Sequence, residues 1–313
     1  DTNISQIQED DNGDYFVEGK FTSPGVCKLD VSADDEPINQ SPMTIKVEEG
    51  RLVNTIQINA TSIIDVVKCK DDSLLVSCLT NEMLKYKQSG EYIGKVTLPQ
   101  GVKVDRMYKM KNGNIAFSDF NYKPIRICNM NGQLIKTISE EVQNTPRSIH
   151  VDETSNVLYA ASGWSNSCVY MFDMNNGKTI KTIGLQGTKE GQMSYVTDVT
   201  LTNQGHLLVL EYSNSRLQLF NNEGRFIKVL VEAGDEDGKV NSPSAIVVDE
   251  DDNIIISSQQ KLQLFSSDGN FIKRIDKPED RINDPRGLSI ISYHPRRLAV
   301  ANRGDKTVKI FNY

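Results

Sequence analysis

The three histidines of this 313-residue chain, His150, His206 and His294, stand far apart. They share no local spacing with one another or with the five cysteines, Cys27, Cys69, Cys78, Cys128 and Cys168. Protein metal sites need closely spaced His, Cys and carboxylate ligands, and no C-x-x-C pair occurs here, so neither a metal nor a cofactor is expected. No glycine-rich phosphate loop, nucleophile elbow or carboxylate pair stands out, and serines scattered without a positioned base do not make a nucleophile. The chemistry these residue types do support is recognition. Tyr122, Lys123, Trp164, Tyr195, Tyr212 and Arg303 fall in turns, and Arg147 and Arg286 each follow a proline. Aromatics with arginines are what partner hot spots favour, and the same rings could stack on unpaired bases. Trp164, the single tryptophan, serves equally well as filler between structural units.

The elements that must hold these side chains announce themselves by repetition. A phrase of glycine, any residue, apolar, Ile or Val, two residues, apolar occurs six times, at Gly50, Gly90, Gly132, Gly177, Gly224 and Gly269. Its spacings of 40, 42, 45, 47 and 45 residues suit radial β-repeats rather than helical solenoids. Each unit reads as four strands separated by polar turns, with the glycine phrase as the fourth. Third strands recur as EMLKY, PIRIC, CVYMF, RLQLF, KLQLF and TVKIF, ending at Tyr86, Cys128, Phe172, Phe220, Phe265 and Phe311. The first fourth strand precedes any third strand, and the last third strand runs into the C-terminus. This phase predicts an all-β, six-bladed propeller over residues 48–313, closed by the N-terminal strand completing the sixth blade. Pro146, Pro243 and Pro285 stand before first strands, where a missing N–H is tolerated. Lys136, Lys181, Lys228 and Lys273 follow the Ile of the phrase. They read as charges that protect an outer edge, since blade geometry disperses them too widely to converge on one phosphate ligand.

Residues 1–47 differ in character. They hold three basic and ten acidic side chains, leaving 32 of each sign in the remaining 266 residues. The net charge of −7 therefore lies entirely in this segment, and the repeats lack the basic surplus usual in nucleic-acid binders. Acidic runs lie at Glu232 to Asp237 and Asp276 to Asp284, and read as solvated loop or as a dock for a basic peptide. Residues 11–47 alternate apolar and polar side chains between Asn-Gly, Pro-Gly and Ser-Pro turns, predicting three or four antiparallel strands.

Those strands resemble the C-terminal half of a filamin-type immunoglobulin repeat, through G-D-Y-x-V, P-G and I-x-x-S-P-x-x-I-x-V. A whole module needs about 100 residues, so 1–47 is expected to be a partial one. The blades resemble NHL repeats, best in Ser242–Gly269 and in His206–Gly224, where Asn214, Arg216 and Phe220 stand in register. The module order resembles the C-terminal half of the tripartite-motif NHL family. Departures are present: the acidic residue closing the second strand survives as Asp119 and Glu211, and Thr61–Val96 matches poorly.

The resemblance implies a non-catalytic recognition module of a RING-type ubiquitin ligase, binding a protein target through one propeller face. RNA binding for post-transcriptional repression is the alternative. A third reading, a propeller hydrolase or lyase with a metal in the channel, needs carboxylates or histidines converging at the axis. The resemblance also implies an oligomer formed through a coiled coil outside this chain. The chain starts at Asp1, as an excised fragment would. Scattered cysteines in apolar runs suit a reducing, cytoplasmic setting, and no run of 18 apolar residues suggests a membrane span.

Overall fold

The computed structural model describes residues 51–121, 123–138, 146–163 and 166–313, together with the backbone of short strands before Arg51. It divides into two compact units, Asp1–Arg51 and Leu52–Tyr313. In the first, Thr2–Glu9 pairs with Tyr15–Phe21, Gly25–Leu29 with Met43–Val47, and Ser32–Ala33 with Glu36–Pro37, all antiparallel.

The second unit is the propeller that the repeat phase predicts. Six four-stranded antiparallel sheets follow one another, and in the sixth the strands Pro285–Tyr293, Arg296–Asn302 and Thr307–Asn312 are completed by Arg51–Gln57 from the other end of the chain. Blades are numbered from the sheet beginning at Asp65, and strands one to four run from the axis outward. Blade one, over the Thr61–Val96 stretch that matches the repeat poorly, forms four strands like the rest. Closure leaves no terminal blade exposed.

The cores lie between blades rather than within them. Each of six apolar clusters joins residues of two neighbouring blades, as Ile115, Phe117 and Cys128 of blade two join Leu75, Met83 and Val96 of blade one. The residue ending the third strand anchors these clusters: Phe172, Phe220, Phe265 and Phe311 are fully buried. Burying an aromatic of that size is worth about 1.5–3 kcal/mol, which explains why phenylalanine recurs at the end of strand three.

The glycine of the repeated phrase is set by two constraints at once. At Gly132 φ is +79° and a Cβ would fall 2.0 Å from the Thr97 carbonyl oxygen of the preceding blade. At Gly269 the corresponding distance is 2.3 Å, to the Leu230 carbonyl. A left-handed turn pressed against a neighbour's backbone admits glycine alone.

The lysines beside it act differently from the edge protection expected. Lys136 donates to the carbonyls of Met174 and Asn175, Lys181 to that of Glu223, and Lys228 pairs with Asp268. Each reaches from a fourth strand to the next blade's turn between strands three and four. These three tie neighbouring blades together.

Candidate functional site

Strand one of every blade is the inner edge of its sheet, so six such strands surround the axis. Their pairing with the second strands places Asp65, Arg106, Ser148, Asp198, Ala245 and Gly287 at one level. Side chains here satisfy the next blade's backbone. Asp65 Oδ2 accepts from the Met107 N–H at 2.8 Å, Ser148 Oγ from the Val199 N–H at 3.3 Å, and Asp198 Oδ2 from the Ile246 N–H at 2.9 Å. Ser148 also donates its hydroxyl to Asp198.

Arg106 cannot accept, and the chain uses it otherwise. Its guanidinium donates to the Ser244 carbonyl at 2.9 Å and to the Arg286 carbonyl, and lies 3.9 Å from Asp65. It thus crosses the axis toward blades five and six, where the level holds only Ala245 and Gly287. A buried charge needs partners, and the two carboxylates with two carbonyls supply them. Burial pushes the Asp65 carboxyl up to about 7 against the pull of Arg106. It also raises Asp198 and Asp105.

On one side of this plug a cavity of about 380 Å³ runs down the axis. Its next level is aliphatic, with Met107, Ile149, Val199, Ile246 and Leu288, followed by Tyr108, His150, Thr200 and Ser289. His150 stands edge-on to Tyr108 with centroids 5.1 Å apart, and its Nδ1 lies 3.2 Å from Thr200 Oγ1. Burial lowers the His150 pKa to about 4 and raises that of Tyr108 to about 12. Lys68, Lys109 and Tyr293 stand at the mouth, on the face made by the turns between strands one and two.

The opposite face carries most of the recognition residues expected from the sequence. Arg147 donates to Tyr195 Oη at 2.9 Å, its guanidinium carbon lies 5.9 Å from the Tyr195 ring centroid, and Tyr195 packs on Tyr212 at 5.3 Å. A Cβ on Gly163 would meet Arg147 Cγ at 2.8 Å, so that glycine keeps the arginine's place. Around blade six, Asp284 pairs with Arg286 at 2.7 Å and with Arg303 at 3.1 Å. Between the groups, buried Asp105 lies 3.6 Å from Arg147 and also feels Arg106 and Arg286. Tyr195 and Asp284 both hold left-handed φ, 51° and 49°, a conformation uncommon outside glycine. Tyr122 and Trp164 lie outside the described residues, as does the side chain of Lys123.

One register explains the face. The Tyr212 N–H donates to the Tyr195 carbonyl, Arg303 to Asp284, and Phe120 to Lys103. Phe120 therefore occupies the position of Tyr212 and Arg303 and is 39% exposed. Its signal in the sequence is the residue it follows: Asp119, as Glu211 precedes Tyr212. That acidic residue is structural. Glu211, fully buried, accepts from Arg216, Gln218, Asn214 and the Ser194 N–H at 2.6–2.7 Å.

Many solved structures share this fold. A streptogramin B lyase aligns with TM-score 0.61 at 13% identity, over 84% of this chain and 98% of that one. A candidate gluconolactonase aligns with TM-score 0.65 at 14% identity, over 84% of this chain and 91% of that one. Likeness at such identities is likeness of fold. No family model matches the chain. Among the described residues, no three His, Cys, Asp or Glu side chains gather as metal ligands would, and no helix is long and apolar enough to cross a membrane.

Proposed function

We propose that the chain is a partner-recognition module of the tripartite-motif NHL type, with residues 1–47 a partial filamin-like segment before a propeller over 48–313. It binds a protein target through the face carrying Arg147, Tyr195, Tyr212, Arg286 and Arg303, with Phe120 added to that set. In the intact ligase, transfer of ubiquitin belongs to other parts of the protein, and a cytoplasmic setting accords with the free, buried state of Cys69, Cys78, Cys128 and Cys168.

The observation that carries this reading is the pre-formed Arg147–Tyr195–Tyr212 cluster, tied by a hydrogen bond of 2.9 Å and ending in a Tyr212 ring that is 41% exposed. Rigid aromatic anchors beside arginine are the chemistry of protein hot spots. The arginines of this face are matched by Asp105 and Asp284. That pairing favours a peptide surface over a phosphate backbone, which calls for unmatched positive charge. The competing reading, a reaction in the axial channel, meets an inner end where Arg106 already engages the Asp65 carboxylate.

Cross-linking in cells tests the proposal. The wild-type chain should recover protein rather than RNA, and Tyr212→Ala and Arg286→Ala should each reduce that recovery several-fold. Recovery of RNA, or of protein at levels indifferent to both substitutions, would overturn it.

A further inference from the structure

The axial channel is a built site that the recognition face does not use. Its inner end is closed by Arg106 and carries the Asp65 and Asp198 carboxylates. Next comes the aliphatic level, and then the Tyr108–His150 pair. Its 380 Å³ lies within the range of small-ligand pockets. The charge along it is ordered. Two acids and one guanidinium occupy the depth, whereas two ammonium groups from adjacent blades, Lys68 and Lys109, stand at the mouth.

Those lysines are weakly committed. Lys109 donates to the Met110 carbonyl at 3.1 Å, and among the described residues no carboxylate stands within ion-pair distance of it. Lys68 pairs at 2.8 Å with Asp72, whose side chain is 74% exposed, and so exposed a pair contributes little. Other acids on the same face are engaged elsewhere. Asp152 accepts from Thr154 and Ser155, and Glu153 from the Lys111 N–H at 2.7 Å. Glu250, with a long 3.9 Å approach to His294, lies on the side of Tyr293.

We propose that this channel binds a small organic anion with a flat apolar body, taken up through the face of the turns between strands one and two. The body enters the aliphatic level and meets Tyr108 and His150, while the anionic group stays at Lys68 and Lys109. The inner end offers no spare cation to hold the anionic group there, since Arg106 is already taken up by Asp65 and the carbonyls of Ser244 and Arg286, and this sets the orientation.

The test uses the complete chain with 8-anilinonaphthalene-1-sulfonate as anionic probe and N-phenyl-1-naphthylamine as its uncharged counterpart, read by fluorescence titration. One saturable site per chain is expected for the anion. The Lys68→Gln/Lys109→Gln variant should weaken the anion about fivefold or more and the neutral probe less than about twofold, as a short-range charge effect would. Lys178→Gln/Lys189→Gln, which removes the same charge elsewhere, should change neither. Val199→Trp fills the aliphatic level and should abolish both signals. Ser289→Trp serves the same purpose should Val199→Trp fail to fold. No saturable site, binding that survives a folded blocking variant, or equal weakening of both probes by the lysine substitutions would each overturn the proposal.

Discussion

Gly287 lies so close to Asp65 that a Cβ on it would fall 2.1 Å from the carboxylate Oδ1 and 2.6 Å from the Asp65 Cα. The glycine belongs to the last blade and the aspartate to the first, so this contact presses the inner strands of those two neighbouring blades together at the axis. Small residues at Gly287 and Ala245 leave the space that Arg106 fills from across the axis.

Gly287→Ala should therefore destabilise the propeller by roughly 1–3 kcal/mol, the usual cost of overpacking a filled interior. Urea denaturation followed by far-ultraviolet circular dichroism measures it. A loss below about 0.5 kcal/mol would mean that Asp65 can move aside freely.

Arg106→Met should cost about 3–5 kcal/mol, because it strands buried carboxylates without their cation. The loss should be larger at pH 8 than at pH 5, where Asp65 and Asp198 can take up protons. Denaturation of both proteins at the two pH values gives the comparison, and a loss independent of pH would contradict the plug.

Asp65, raised to about 7 by burial, holds its proton in the folded state at pH values where the unfolded chain has released it. Its contribution to stability is full below pH ~4 and declines as pH rises to about 7. Asp65→Asn removes that decline. The stability of the variant relative to wild type should improve from pH 5 to pH 8, and a constant difference across those values would refute the assignment.

His150 works in the opposite sense. Its pKa falls to about 4 through burial, so the unfolded chain binds the proton first and stability is lost as pH drops from ~6.5 toward 4. His150→Phe should flatten that acid limb. A limb unchanged in the variant would show that His150 stays hydrated in the folded state.

Glu211→Gln should destabilise by about 2–4 kcal/mol, since it removes a buried charge that satisfies four donors. Thermal unfolding of the variant tests this, and a loss comparable to that of a surface substitution would contradict the clamp.

The blades were legible in the sequence because their spacing is enforced by packing. A phenylalanine buried between blades and a glycine pressed on a neighbour's carbonyl recur wherever the geometry recurs. The phase of the glycine phrases against the third strands led directly to the seam between Arg51–Gln57 and Thr307–Asn312. The axis was harder to read. Asp65, Arg106, Ser148 and Asp198 share a level but no residue type, since each meets a different neighbour across a closed ring. Aligning the first strands by register brings them into one column, and the same step puts Phe120 at the position equivalent to Tyr212 and Arg303. Arg147, Tyr195 and Tyr212 meet on one face, whereas Lys136, Lys181 and Lys228 of the fourth strands tie neighbouring blades. That difference depends on side-chain direction, which repeat spacing does not encode.

Tyr212 and Tyr293 offer the most direct test of which end of the propeller meets a partner, since each is 41% exposed and they stand on opposite faces. A photoreactive phenylalanine analogue placed at either position, followed by irradiation in cells, compares the two ends at equal exposure. The recognition reading predicts a discrete protein adduct from position 212 and none from position 293. Adducts from 293 alone, or RNA adducts from 212, would contradict it.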